Sequence, residues 1–192
     1  MPNVFIGENP QLEAVYEDKG SKYSVVITHP HSLMGGNMHN NVVISAWDAA
    51  VQQGLSVLRF NFRGVDRSSG SFDEGNGEIH DIAAAVEYVK KPVIIIGYSF
   101  GAWVAAGYIK RFDNPFPCIF VSPPTGMFQF PSMKDDNIWA ITGAQDQFCS
   151  IPILEGLMDA SRITVVNHVD HFWFGYEEKL KIYLHEKLNT LT

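Results

Sequence analysis

The chain has 192 residues, 46% apolar and 18% charged, enough for one domain with a substantial core, expected to span residues 1–192. Its formal charge of −7, from 14 basic and 21 acidic residues scattered along the chain, excludes a protein built to neutralise nucleic-acid phosphates. Cys118 and Cys149 are too few for a disulfide framework, and neither a signal peptide nor a membrane span is legible, so a soluble protein of a reducing, cytoplasmic compartment is expected.

Short β-rich runs alternate with helical patterns. Val4 to Ile6 reads as a first edge strand. Leu12 to Tyr16 and Tyr23 to Thr28 read as strands, with the turn cluster Glu17-Asp18-Lys19-Gly20-Ser21 between them. Asn41 to Gln53 carries apolar residues at helical spacing and stops at Gly54. Leu55 to Phe60 is the next strand. Ile79, Ile82, Ala83, Val86 and Val89 share one helical face, and Pro92 follows the end of that helix. Val93 to Tyr98 is the central strand, and Phe100 to Ile109 a helix. Cys118 to Ser122 and Ile138 to Thr142 are strands, and Ile153 to Met158 fits a short helix. Ile163 to Val166 is the last strand, and Tyr176 to Leu188 an amphipathic helix. The densest basic pairs, Lys90-Lys91 and Lys110-Arg111, fall near helix ends and read as compensation of the helix dipole.

This alternation predicts a three-layer α/β fold: a mostly parallel sheet covered by helices on both faces. Right-handed crossovers then gather the strand C-termini along one edge, where ligand sites form. Ser99 follows the Val93 strand, His29-Pro30-His31 the Tyr23 strand, Asp146 the Ile138 strand, and His171 the Ile163 strand.

Gly97-Tyr98-Ser99-Phe100-Gly101 between a β-branched strand and a small-residue helix reads as a nucleophile elbow. The turn would lift the serine hydroxyl above the sheet, and a Cβ at Gly97 or Gly101 would crowd it. A serine hydroxyl is a poor nucleophile at neutral pH and needs a base, itself oriented by a third group. The chain order serine, acid, histidine fits Ser99 as nucleophile, Asp146 as orienter and His171 as base. His168 competes for the base. Asp135, Asp136 and Asp159 compete for the acid, and Asp170 is too close to His171 in sequence to fold back onto its ring. Negative charge on a tetrahedral intermediate needs two N–H donors. Phe100 is expected to supply one and His31 the other, with Ser32 as its rival.

His29, His31 and His39 lack a carboxylate or cysteine at ligand spacing, so no metal and no cofactor are expected. Gly35-Gly36 reads as a loop that lets backbone approach substrate. Asn61 to Gly70 lacks a phosphate-loop pattern and reads as a structural loop, with one wall near the site. Phe172-Trp173-Phe174 reads as core or as part of an acyl pocket.

With these residues in place the chain resembles the α/β-hydrolase superfamily over nearly its whole length. It is most similar to the small, lidless bacterial predicted-esterase and dienelactone-hydrolase-like group. The resemblance is carried by His29-Pro30-His31-Ser32-Leu33-Met34-Gly35-Gly36-Asn37-Met38, Arg59-Phe60-Asn61-Phe62-Arg63-Gly64-Val65, Ser71-Phe72-Asp73, the elbow, Asp146 and Asp170-His171-Phe172. It implies an α/β-hydrolase fold, a Ser99–Asp146–His171 triad and an acyl-enzyme on Ser99. Similar proteins usually have Gly where this chain has Asp66, and often Pro where it has Ser32. Dienelactone hydrolases proper use a cysteine nucleophile, so their substrate does not carry over.

Ser122 to Asn137 is too short for the cap that many relatives insert. An open, shallow site for small ester or thioester substrates is therefore expected, with no cap domain. Met127, Phe128 and Phe130 either rim that site, pack on the same chain or meet a second subunit, which leaves a homodimer open. An amidase or peptidase with the same triad, or a binding protein on this scaffold, are the rival readings.

Overall fold

The computed structural model describes residues 3–113, 116–134 and 137–192. Its strands are β1 (Val4–Ile6), β2 (Leu12–Glu17), β3 (Ser24–Thr28), β4 (Ser56–Phe60), β5 (Val93–Tyr98), β6 (Cys118–Val121), β7 (Ile138–Gly143) and β8 (Ile163–Val166). The helices are α1 (Asn41–Gln52), α2 (Asn76–Val89), α3 (Phe100–Phe112), α4 (Ile151–Leu157) and α5 (Glu177–Leu191), with short 3-10 turns at Ser32–Met34 and Ala160–Arg162. Among the described residues, no helix is long and apolar enough to cross a membrane.

One sheet holds all eight strands in the order β1-β2-β4-β3-β5-β6-β7-β8. The pairs β1–β2 and β2–β4 are antiparallel, and every other pair is parallel. A parallel interior strand is covered on both faces, which explains the unbroken apolar runs. Along β5, Val93 and Ile95 join the core on one side of the sheet, while Ile94, Ile96 and Tyr98 join the core on the other. Cys118 and Phe120 against Ile119 and Val121 repeat the alternation on β6. Helices α2 and α3 supply Ile82, Ala85, Val104 and Ala105 to the first core. Helices α1 and α5 supply Val42, Ala46, Leu180, Leu184 and Leu188 to the second.

This strand order places the functional edge. The chain leaves β3 through α1 on one face of the sheet, and leaves the adjacent β5 through α3 on the other. The loops after β3 and β5 therefore part in opposite directions and open a crevice between them, the switch point where α/β ligand sites form.

Three local findings refine the sequence reading. Strands β2 and β3, adjacent in sequence, are not neighbours, because β4 lies between them and pairs with both. Helix α2 starts three residues before Ile79. The buried Glu78 carboxylate accepts the Asp73 and Gly75 N–H groups at 2.9 and 2.8 Å and so anchors the helix entry. Lys90 and Lys91 do not cap α2 as a pair. Lys90 takes a left-handed turn (φ 51°), and Lys91 pairs with Asp18, whose pKa it draws down to about 2. Lys110 and Arg111 do lie in the last turn of α3.

Candidate active site

The elbow is visible in the backbone. Ser99 sits at φ 53° and ψ −121°, a region that L-residues rarely enter, with its N–H bonded to Val121 O at 3.0 Å. A Cβ on Gly97 would stand 2.7 Å from Ala102 Cα, and one on Gly101 would stand 2.7 Å from His29 O. Both positions need glycine because backbone passes there, as the motif predicts.

The structure brings Ser99, His171 and Asp146 together. Ser99 Oγ lies 2.8 Å from His171 Nε2, and His171 Nδ1 lies 2.9 and 3.0 Å from the two Asp146 oxygens. All three residues are nearly buried, at 8%, 4% and 8% exposure for Ser99, His171 and Asp146. The Asp146 carboxylate also accepts Thr142 Oγ1–H at 3.1 Å and the Phe148 and Cys149 N–H groups at 2.9 and 3.0 Å. Burial acts to raise its pKa. The hydrogen bond and charge of His171, with the Ser122 hydroxyl and the Phe148 N–H, outweigh burial and hold it below the usual carboxylate range.

The loop carrying His171 is tied down by residues that no motif singles out. Gln145 N–H bonds Val169 O at 2.9 Å, and a Cβ on Gly143 would fall 2.0 Å from that same carbonyl. Tyr98 donates its hydroxyl to His171 O at 3.0 Å, and burial pushes its phenol pKa up. Asn41, at the start of α1, donates to Phe172 O at 2.9 Å. Trp173 is fully buried and donates its indole N–H to Ser122 Oγ at 2.9 Å. The one signal for these contacts in the sequence is proximity to Ser99, Asp146 and His171, which does not reveal partners from β6 and α1.

The competing residues that the structure describes are engaged elsewhere. His168 is exposed in a left-handed turn (φ 64°). Asp159 accepts the Ser161 N–H, and Asp170 accepts the Phe172 and Trp173 N–H groups, turning the chain just after His171. Asp135 and Asp136 lie outside the described residues.

His29 is a structural residue. It is fully buried, with Nδ1 2.7 Å from Pro30 O and Nε2 accepting the Phe62 N–H at 2.9 Å. Both ring nitrogens are thus committed, and burial lowers its pKa to about 4, so it is neutral. Gly36 is needed by the fold of its own loop, since a Cβ there would lie 2.2 Å from Pro30 O. Neither the His31 nor the Phe100 N–H donates to another group among the described residues. Both residues line the cavity above Ser99, whereas Ser32 does not.

Asn61 to Gly70 is a polar scaffold. Asn61 is buried, accepts the Met38 N–H at 2.8 Å, and donates to Glu13 and Asp66. Asp66 adopts φ 47°, the left-handed conformation that glycine favours, while Asn61 Nδ2 holds its carboxylate at 3.1 Å. Arg63 forks onto the buried Asp81, its Nη2 at 2.7 Å. The aromatic run after His171 divides: Trp173 is core, Phe172 lines the cavity, and Phe174 faces solvent against Phe172. Met127 and Phe128 line the cavity, and Phe130 is buried in the same chain.

The cavity over Ser99 encloses about 410 Å³. Among the described residues, the segment from Ser122 to Lys134 is a loop with no helix that could form a cap.

A parallel-centred sheet with a serine elbow at its switch point, and an acid and a histidine on later strand ends, defines an α/β hydrolase architecture. The chain belongs to the alpha/beta hydrolase family, whose model matches residues 25–178. An uncharacterized protein of Rickettsia prowazekii (strain Madrid E) is 30% identical over 214 aligned positions that cover the whole of this chain and 90% of that one. Among solved structures, an alpha-beta serine hydrolase homologue from Coxiella burnetii is 29% identical, covers 97% of each chain and superposes with a TM-score of 0.87. A serine hydrolase without lid from Xanthomonas campestris is 26% identical, covers 98% of this chain and 94% of its own, and gives 0.85.

Proposed function

We propose that the protein is a serine hydrolase that cleaves small carboxylic esters or thioesters through an acyl-enzyme on Ser99. The observation that carries this reading is the continuous chain of bonds from Asp146 through His171 to Ser99 Oγ, ending in an open cavity. The likeness to a serine hydrolase homologue and to a serine hydrolase without lid supports it.

In the first half-reaction Ser99 Oγ bonds to the carbonyl carbon while its proton passes to His171 Nε2. Asp146 remains a carboxylate, fixes the Nδ1–H tautomer and stabilises the imidazolium. The carbonyl oxygen becomes an oxyanion and receives the unengaged Phe100 and His31 N–H groups, at the positive end of α3. As the intermediate collapses, the bond to the leaving oxygen or sulfur breaks and His171 returns the proton to it. Water then attacks the acyl carbon, giving a proton to His171. The second collapse breaks the acyl–Oγ bond, releases the acid and restores the Ser99 hydroxyl with that proton.

Intact-mass detection of a fluorophosphonate adduct tests the proposal. One adduct is expected on the wild type, none on Ser99→Ala and little on His171→Gln. Folded wild type that takes no adduct would refute an activated serine.

A further inference from the structure

The ring contacts around Ser99 fall into two groups. On one side His31 lies 4.8 Å from Phe100, centroid to centroid, and stacks toward Phe128 at 6.4 Å. Trp103 backs this wall against Phe128 at 4.7 Å. On the other side Phe148 meets His171 edge-on at 4.8 Å and Phe172 edge-on at 6.4 Å. Among the described residues, no ring contact joins one wall to the other. Tyr98 belongs to the second wall through His171, Phe100 to the first, and Ser99 stands between them in the chain.

The lining has a second property. None of the residues around this cavity is Asp, Glu, Lys or Arg. Of the two histidines that line it, His171 is committed to Ser99 and Asp146, and burial lowers the pKa of His31, which favours the neutral ring. Met34, Met127 and Phe172 border the cavity at 76%, 52% and 42% exposure, so apolar rim surface faces water. A substrate that covered it would gain from that burial. A charged group drawn into this space would lose its hydration and meet no counter-charge. The formal charge of −7 adds a general repulsion of anions.

We infer that the cleft is an aryl site: it takes uncharged esters or thioesters that place a planar aromatic ring between the two walls, and it rejects those with a charged group beside the scissile carbonyl. This inference rests on the hydrolase reading above. Edge-to-face and offset contacts with both walls favour a ring over an alkyl chain of similar size, by about tenfold in kcat/KM. An unpaired carboxylate or ammonium in the same space is disfavoured by at least about 100-fold. The ring can enter from the acyl side or from the alcohol side of the ester.

Initial rates of acid release, followed by pH-stat, separate these cases. Ethyl 3-phenylpropanoate is compared with ethyl nonanoate, and 2-phenylethyl acetate with octyl acetate, so the carbon count matches within each pair and no activated leaving group masks the choice. Ethyl hydrogen succinate and an ethyl ester of an ω-ammonio acid supply the charged arms. A preference of about tenfold for the phenyl ester in the first pair assigns the ring to the acyl side, and the same preference in the second pair assigns it to the alcohol side; a preference for the alkyl ester in both pairs overturns the aryl assignment. Phe172→Leu, at a surface-facing position, should bring the favoured ratio close to one. Equal rates within both pairs, or a charged ester turned over as fast as the alkyl ones, overturn the aryl assignment. The hydrolase reading survives that result if the fluorophosphonate still labels Ser99. No ester turnover together with no adduct overturns both.

Discussion

The strained turn at Ser99 predicts that Ser99→Gly is more stable than Ser99→Ala, although neither can form an acyl-enzyme. Both substitutions remove the hydroxyl and its bond to His171 Nε2, so that loss cancels between them. They differ in the Cβ. At φ 53° and ψ −121° a side-chain-bearing residue carries about 1–3 kcal/mol of backbone strain, which alanine retains and glycine relieves. Glycine's freer unfolded chain offsets roughly 0.5–1 kcal/mol of the relief. The Ser99 side chain faces the cavity, so deleting its Cβ leaves no void in the packed core. The net expectation is about 1 kcal/mol in favour of Ser99→Gly, or roughly 2–4 °C in Tm for a chain of this size. Thermal unfolding of the two purified variants, followed by circular dichroism at the same pH and ionic strength, reads the difference directly. A Ser99→Gly variant that melts at or below Ser99→Ala would show that the elbow stores no more strain than the roughly 0.5–1 kcal/mol that glycine's freer unfolded chain offsets, and would refute the expected margin.

Three further outcomes follow from the same geometry. Asp146→Asn keeps the site's shape but removes the charge that orients His171, and should lower kcat by roughly 10⁴-fold; steady-state activity near wild type would move the acid to another carboxylate. Gly143→Ala forces a Cβ against Val169 O, so the loop before His171 must shift; we expect a loss of about 2–4 kcal/mol in urea unfolding and slowed fluorophosphonate labelling, and an unchanged labelling rate would contradict the contact. His29 has a folded pKa of about 4 against 6.5 unfolded, so the unfolded chain binds the extra proton first. Its contribution is complete above pH 6.5 and declines as pH falls toward 4, by roughly 3 kcal/mol at most. Urea midpoints at pH 7 and pH 5 should therefore converge in His29→Gln relative to wild type, whatever the variant's absolute stability; equal pH dependence in both proteins would argue against a neutral buried His29.

The elements are legible because burial imposes a pattern on both faces of the sheet. Val93 to Ile96 reads as a covered strand from its composition, and Leu180, Leu184 and Leu188 as a helical stripe, with no neighbour known. Strand order is not legible. Nothing in Leu12 to Glu17 says that it pairs with Ser56–Phe60 rather than with the next strand in sequence, because pairing is decided by tertiary contacts on both partners. The entry of α2 escapes the pattern for a similar reason. Glu78 lies before the apolar stripe that begins at Ile79, and its charge gives no sign in sequence that it is a buried acceptor for two loop amides.

The site shows the same division between what a motif encodes and what packing adds. Gly97, Ser99 and Gly101 are constrained by atoms within a few residues, or by the adjacent β3, so the elbow can be read locally. The histidine is different. Its position follows from Asp170 turning the chain, Tyr98 holding its carbonyl, Asn41 holding that of Phe172, and Trp173 reaching Ser122. Those partners come from α1, β5 and the end of β6. Ser122 and Trp173 both take positive φ, at 48° and 61°, conformations costly for side-chain-bearing residues. Their indole–hydroxyl bond joins two strained turns, one leading from β6 toward the acid and one following the base. Through that bond the Trp173 core contact holds the turn after β6 against the loop that carries His171. A tryptophan that sequence reading assigns either to the core or to the pocket therefore serves the site from within the core.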